Sequence, residues 1–207
     1  MSDESPRLYL VTPKLAAAAP FDAALAAALG AGDVACVLVR FATRDAGEAK
    51  KIVRALAPLV QQAGAALLVD GDAQLAARAG ADGAHATTPD ALHDALDALK
   101  PDRIVGVGGL ETRDDCMTVG EQDVDYLMFG GPDDPTTAHD VRERAMWWAE
   151  IFNVPCVAFA HTLDEAAELA RTPAEFVALE NAIWSDARGP AAAVAAAHAM
   201  LKQGASA

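Results

Sequence analysis

The sequence predicts a single (β/α)8 barrel. Strand-like and helix-like segments alternate eight times over the 207 residues. Alternation at that pitch implies parallel strands, because each strand needs a crossover helix to return. The strands are also continuously apolar, as expected where both faces of a sheet are covered. Eight units in about 200 residues is near the lower limit for such a barrel. A doubly wound open sheet is the competing architecture. It usually carries one dominant phosphate loop, and no G-x-G-x-x-G or P-loop follows the first strand here.

In chain order, Arg7 to Thr12 is the first strand and Pro20 to Leu29 an Ala- and Leu-rich helix ended by Gly30. Val34 to Phe41 is a strand broken only by Arg40. Ala46 to Ala63 is a helix stopped by Gly64. Ala65 to Val69 is a strand running into Asp70-Gly71-Asp72, and Ala73 to Ala79 is helical with Gly80 as its C-cap. Ala84 and His85 end a very short fourth strand. Thr88 suits the N-cap of the next helix, Pro89 to Leu99, with Pro89 at its first position. Strands then fall at Arg103–Val107, Val124–Phe129, Val154–Ala160 and Glu175–Glu180. Their helices are Thr112–Gly120, Ala138–Phe152, Leu163–Arg171 and Pro190–Lys202. No linker divides the chain, so residues 1–207 form one domain, with 1–6 expected as a flexible tail.

The formal charge of −14 argues against nucleic acid and against anionic membrane surfaces, which need a basic footprint. It leaves a small anionic ligand open, because a pocket can be locally positive. No stretch approaches the roughly 20 apolar residues that span a membrane. Met1 to Pro6 is polar and acidic, unlike a signal peptide. Cys36, Cys116 and Cys156 are odd in number and far apart, and two lie in apolar strands. They read as free buried thiols in a reducing cytoplasm.

In a barrel the C-terminal strand ends share one mouth. That rule gathers Arg40, Asp70, His85 with Asp90, Gly108-Gly109, Gly130-Gly131, His161-Thr162 and Asn181. Each also has a plainer role. Asp70 and Asp72 suit a turn, Asp90 a helix dipole, and the two histidines ordinary hydrogen bonds. As a set they suit an oxyanion ligand. Asp70 and Asp90 are hard oxygen ligands of the kind that hold Mg2+ beside phosphates. Arg40 offers a bidentate grip, and the glycines offer backbone N–H groups. His85 and His161 are candidate proton carriers. Trp147-Trp148 marks either core packing or a contact between subunits of a homo-oligomer.

The order of segments resembles the thiamine-phosphate synthase family and its thiazole tautomerase relatives. Leu8-Tyr9-Leu10-Val11-Thr12 is similar to the family's opening strand, and Gly80-Ala81-Asp82-Gly83-Ala84-His85 to its Gly-Ala-Asp-Gly-Val-His segment. Ile104-Val105-Gly106-Val107, Asp125-Tyr126-Leu127-Met128-Phe129-Gly130 and Pro155-Cys156-Val157-Ala158 match three later strands. The resemblance implies a TIM barrel that joins a pyrimidine pyrophosphate to a thiazole phosphate, with Mg2+, and releases pyrophosphate. It places Asp90 where the family has a metal-binding Asp.

The site segments depart from the family pattern at several points. Only Arg40 remains of a Gln-x-Arg-x-Lys strand, and the Asn-Asp pair becomes Asp70-Gly71. The Ser after the fifth strand is Gly108. The Thr-x-Thr-Lys loop becomes Pro135-Thr136-Thr137-Ala138, without its Lys. Ala160-His161 replaces the Gly-Gly phosphate turn, and Asn181 replaces a Ser. Three readings therefore stand together: a synthase handling phosphorylated heterocycles, a tautomerase-like isomerase using His85 or His161, and a non-catalytic barrel that binds a small ligand or a partner.

Overall fold

A computed structural model describes residues 5–205; residues 1–4 of the expected tail, and residues 206 and 207, lie outside that range. Ser5 and Pro6 lead into the first strand, and Pro6 is already buried. Eight parallel strands close on themselves in sequence order. They are β1 (Arg7–Leu15), β2 (Val34–Phe41), β3 (Ala66–Asp70), β4 (Gly83–Ala86), β5 (Ile104–Val107), β6 (Tyr126–Phe129), β7 (Cys156–Ala160) and β8 (Phe176–Leu179). The helices are α1 (Phe21–Leu29), α2 (Ala46–Gln62), α3 (Ala73–Ala79), α4 (Pro89–Leu99), α5 (Arg113–Gly120), α6 (Ala138–Ile151), α7 (Leu163–Leu169), α8 (Asn181–Trp184) and α9 (Pro190–Ala205).

Alternation along each strand makes two cores. One set of side chains meets the helices, including Leu8, Leu10, Val37, Val39, Leu67 and Val69. The other set fills the barrel: Tyr9, Val11, Cys36, Leu38, Leu68, Tyr126, Met128, Val157, Phe159 and Ala178. The barrel interior is thus packed with side chains rather than open, and a ligand has room only above the last layer.

Helix ends follow the local chemistry. Asp45, Asp72, Thr88, Thr112, Thr137 and Thr162 each accept a hydrogen bond from a backbone N–H in the first turn of the helix that follows. Gly80 ends α3 at φ +88°, a region that favours glycine. Carboxylates lock the opposite rim. Asp82 accepts from Leu67 N at 2.8 Å, Asp125 from Val105 N at 2.7 Å and Glu175 from Cys156 N at 2.8 Å. Each precedes a strand and pins the neighbouring one, so the base is fixed while the mouth keeps its loops.

Two elements differ from expectation. β1 continues past Thr12 to Leu15, across a register shift between Val11 and Lys14. The Thr12 hydroxyl bridges the irregularity by accepting from Arg40 N at 3.0 Å and donating to Pro13 O at 2.9 Å. Asn181–Trp184 forms the extra short helix α8. It is held by Trp184, whose indole N–H donates to Val11 O at 2.7 Å and whose ring packs 4.7 Å from Phe21.

Candidate active site at the barrel mouth

A cavity of about 570 Å³ opens at the C-terminal ends of the strands. Of the residues expected there, Arg40, Asp70, His85, Gly130, Gly131 and Thr136 line it. Gly108 lines an adjoining cavity of about 530 Å³ between α4 and α5, which shares Thr87, Gly109, Leu110 and Glu111 with the first. Thr137 is the N-cap of α6. Asp90, His161 and Asn181 are exposed and belong to neither lining. The His161 N–H donates to Glu165 Oε2 at 2.7 Å, and the His161 ring lies edge-on to Phe159.

Arg40 is the hub of the site, and it is 5 % exposed. It points inward because it continues the Cys36, Leu38 alternation of β2. Its Nη1 donates to Glu180 Oε1 at 2.9 Å, and its Nη2 donates to Asp133 Oδ2. Its Nε lies 3.9 Å from Asp70 Oδ2, an ion pair beyond hydrogen-bond length. Lys14 reaches Asp133 Oδ2 at 3.0 Å from the extended end of β1. Three carboxylates therefore surround one guanidinium.

The carboxylates titrate differently. Burial pushes Asp70 up, and the nearby Asp133 charge adds to that, while Arg40 opposes it. Burial also raises Glu180, again against Arg40. Asp133, on the exposed β6–α6 loop, is lowered by its bond to Lys14. That loop is internally ordered: Thr136 donates twice to Asp134 Oδ1, at 2.8 Å from the backbone and 2.6 Å from the hydroxyl. Arg144 of α6 ties the rim together by donating to Leu110 O at 2.8 Å and Glu111 O at 3.0 Å.

On β4, next to Asp70 in the register, His85 Nδ1 lies 3.0 Å from the Tyr126 hydroxyl, and the two rings stack with 11° between their planes. The Tyr126 hydroxyl meets that of Tyr9 at 2.9 Å. Burial pushes His85 down to about 4, so its ring is neutral near pH 7. Gly106 of β5 and Gly108 just after it make this arrangement fit. A Cβ on Gly106 would stand 1.9 Å from Tyr126 Cζ, and one on Gly108 would stand 2.7 Å from His85 Nε2.

The donor set can serve a divalent cation in part. Among the described residues no three His, Cys, Asp or Glu side chains converge as a metal cage. Asp70 nevertheless faces the cavity with oxygens that no protein hydrogen bond takes up, and a hard cation would relieve its raised affinity for a proton. Mg2+ commonly binds through one or two carboxylates and completes its shell with phosphate oxygens and water. Asp70 fits that use.

Lys14, Asp133, Glu180, Tyr9 and Tyr126 belong to the site's polar network but were not among the expected site residues. Glu180 carried a signal, as a lone acid ending the apolar run Phe176 to Leu179.

Comparison with known proteins agrees with this architecture. A family model described as thiamine monophosphate synthase matches residues 8–183. A thiamine-phosphate synthase of Rhodospirillum centenum is 39% identical over 196 residues, covering 91% of this chain and 94% of that protein. One from Hyphomonas neptunium is 32% identical over 207 residues, covering 95% and 94%. In three dimensions, a thiamine phosphate pyrophosphorylase from Pyrococcus furiosus superposes with a TM-score of 0.81 over 98% of each chain, at 20% identity, which speaks for the fold. The chain belongs to the thiamine monophosphate synthase family.

Proposed function

We propose that this protein is a thiamine-phosphate synthase, joining a pyrimidine pyrophosphate to a thiazole phosphate and releasing pyrophosphate. The observation that carries the reading is the buried Arg40 guanidinium facing a cavity at the mouth of a barrel of this family. Charge develops on pyrophosphate as it leaves, and a fixed cation in a partly desolvated pocket stabilises that charge. Arg40 is held on one side by Glu180 and can turn its Nη2 to a phosphate oxygen when Asp133, on its exposed loop, gives way. Lys14 follows as a second cation, freed from the same carboxylate. Asp70 would hold Mg2+, which when bound neutralises part of the pyrophosphate charge, while Asp90 stands exposed at the start of α4, outside the cavity lining. Gly130, Gly131 and Thr136 line the remaining wall.

The substrates are small phosphorylated heterocycles, and the cavity volume lies in the range of ordinary ligand sites. Among the described residues no helix is long and apolar enough to cross a membrane. The free, buried Cys36, Cys116 and Cys156 suit a reducing cytoplasm.

A second reading is favoured by the carboxylates around Arg40: a diverged member that keeps the barrel but takes a ligand without phosphate. Calorimetric titration separates the two. Binding of pyrophosphate with Mg2+, and of thiazole phosphate, each weakened by Arg40→Lys, supports the synthase reading. Binding of neither overturns it.

A further inference from the structure

Below the mouth lies a run of buried hydrogen-bonding groups: the Cys36 thiol against the Tyr9 hydroxyl, Tyr9 on Tyr126 at 2.9 Å, and Tyr126 on His85 Nδ1 at 3.0 Å. Tyr9 and Tyr126 are 2 % and 6 % exposed, and His85 is 4 % exposed. Such a run can be protonated in two directions. With protons pointing outward, Tyr9 donates to Tyr126, Tyr126 donates to Nδ1, and Nε2 carries the imidazole proton. With protons pointing inward, Nδ1–H donates to Tyr126, Tyr126 to Tyr9, and the last acceptor is the Cys36 sulfur.

Sulfur is a weak acceptor and the imidazole nitrogen a good one, so the outward direction makes the better set of bonds. Among the described residues no buried side-chain nitrogen or oxygen is left without a partner, the members of this run included. The remaining ring nitrogen, Nε2, lies on the Gly108 side of the ring and has no protein hydrogen-bond partner, while His85 lines the cavity.

We propose that Tyr126, aimed by Tyr9, is a positioning residue that holds His85 as the neutral Nε2–H tautomer and so presents a hydrogen-bond donor to an acceptor oxygen or ring nitrogen of the bound ligand. His85 then orients ligand as an uncharged donor and does not act as a proton-shuttling base. The inference rests on the mouth being the ligand site but not on synthase turnover.

Long-range 1H–15N correlation of the uniformly labelled full chain tests it, with His85 assigned through its backbone. Near pH 7.5 the expected pattern is a protonated Nε2 and a bare, downfield-shifted Nδ1. In Tyr126→Phe, which keeps the ring over Gly106, the Nδ1 resonance should shift upfield towards a tautomer average. An Nδ1–H tautomer in the wild-type protein overturns the proposal, and so does a pattern unchanged by Tyr126→Phe. The wild-type spectrum decides the matter by itself if the variant does not fold. A protein without synthase activity would leave the spectral result standing.

Discussion

Arg40 Nη1 and Glu180 Oε1 lie 2.9 Å apart at the ends of strands β2 and β8, which are not hydrogen-bonded neighbours in the barrel. The pair spans the position of β1 and sits beneath the mouth cavity. Its side chains are 6 % and 11 % exposed, so water screens it little. Its strength does not follow from burial alone, because desolvation offsets most of the Coulomb gain.

Removing one partner is therefore the informative experiment. Arg40→Met leaves Asp70, Asp133 and Glu180 facing one another without their cation. Urea unfolding should show a loss of about 3–5 kcal/mol. Glu180→Gln keeps an acceptor for Nη1, and the expected loss is smaller, about 1–2 kcal/mol. Equal losses would show that Glu180 carries the charge balance of the site.

Asp133 is placed to compete with an incoming anion, since it bonds both Arg40 and Lys14 from an exposed loop. Asp133→Asn should tighten binding of inorganic pyrophosphate by about 3- to 10-fold, equivalent to roughly 1 kcal/mol. The effect should shrink at high salt. Unchanged affinity in calorimetry would mean that this carboxylate does not stand in the ligand's place.

His85 should leave a mark on the pH dependence of stability. Its pKa is 6.5 when unfolded and about 4 when folded, so between these values the unfolded chain binds more protons. Stability is complete above 6.5 and is lost as pH falls towards 4, by roughly 3 kcal/mol for this one group. Asp70 and Glu180 act in the opposite sense, because their raised values favour the folded state at low pH. The difference between wild type and His85→Gln, measured from pH 7.5 to pH 4, isolates the histidine. A flat difference curve would contradict its burial as a neutral ring.

Gly106→Ala should be among the most damaging single substitutions in the barrel. The new Cβ would meet Tyr126 Cζ at 1.9 Å, and Tyr126 is itself fixed between Tyr9 and His85. Overpacking of this kind costs about 3 kcal/mol or more, read as a lowered urea midpoint. Gly108→Ala meets only the His85 ring edge, at 2.7 Å, and should cost less.

Much of the barrel was legible in the sequence because its signals are local. Gly80, Thr88 and Pro89 bracket β4 and α4 at the positions expected of a C-cap, an N-cap and a first helical residue. Lone polar residues ending apolar runs located Arg40, Asp70 and His85 at the mouth. What stayed hidden depends on contacts across the barrel. Lys14 was lost because Thr12-Pro13 reads as a strand end, whereas pairing of Lys14 with Arg40 and Leu15 with Phe41 carries β1 onward. The Tyr9–Tyr126 contact joins residues 117 positions apart, and no periodicity reports it. The helix α8 is too short for a pattern of its own and is held by Trp184 reaching back to β1.

Synthase activity is decided by incubating the purified full chain with the pyrimidine pyrophosphate, the thiazole phosphate and Mg2+, and measuring thiamine phosphate and released pyrophosphate together. Both products should form in equal amounts, with the rate reduced by Arg40→Lys. A folded protein that binds these substrates or not, but forms no thiamine phosphate above the enzyme-free blank, would contradict the synthase reading.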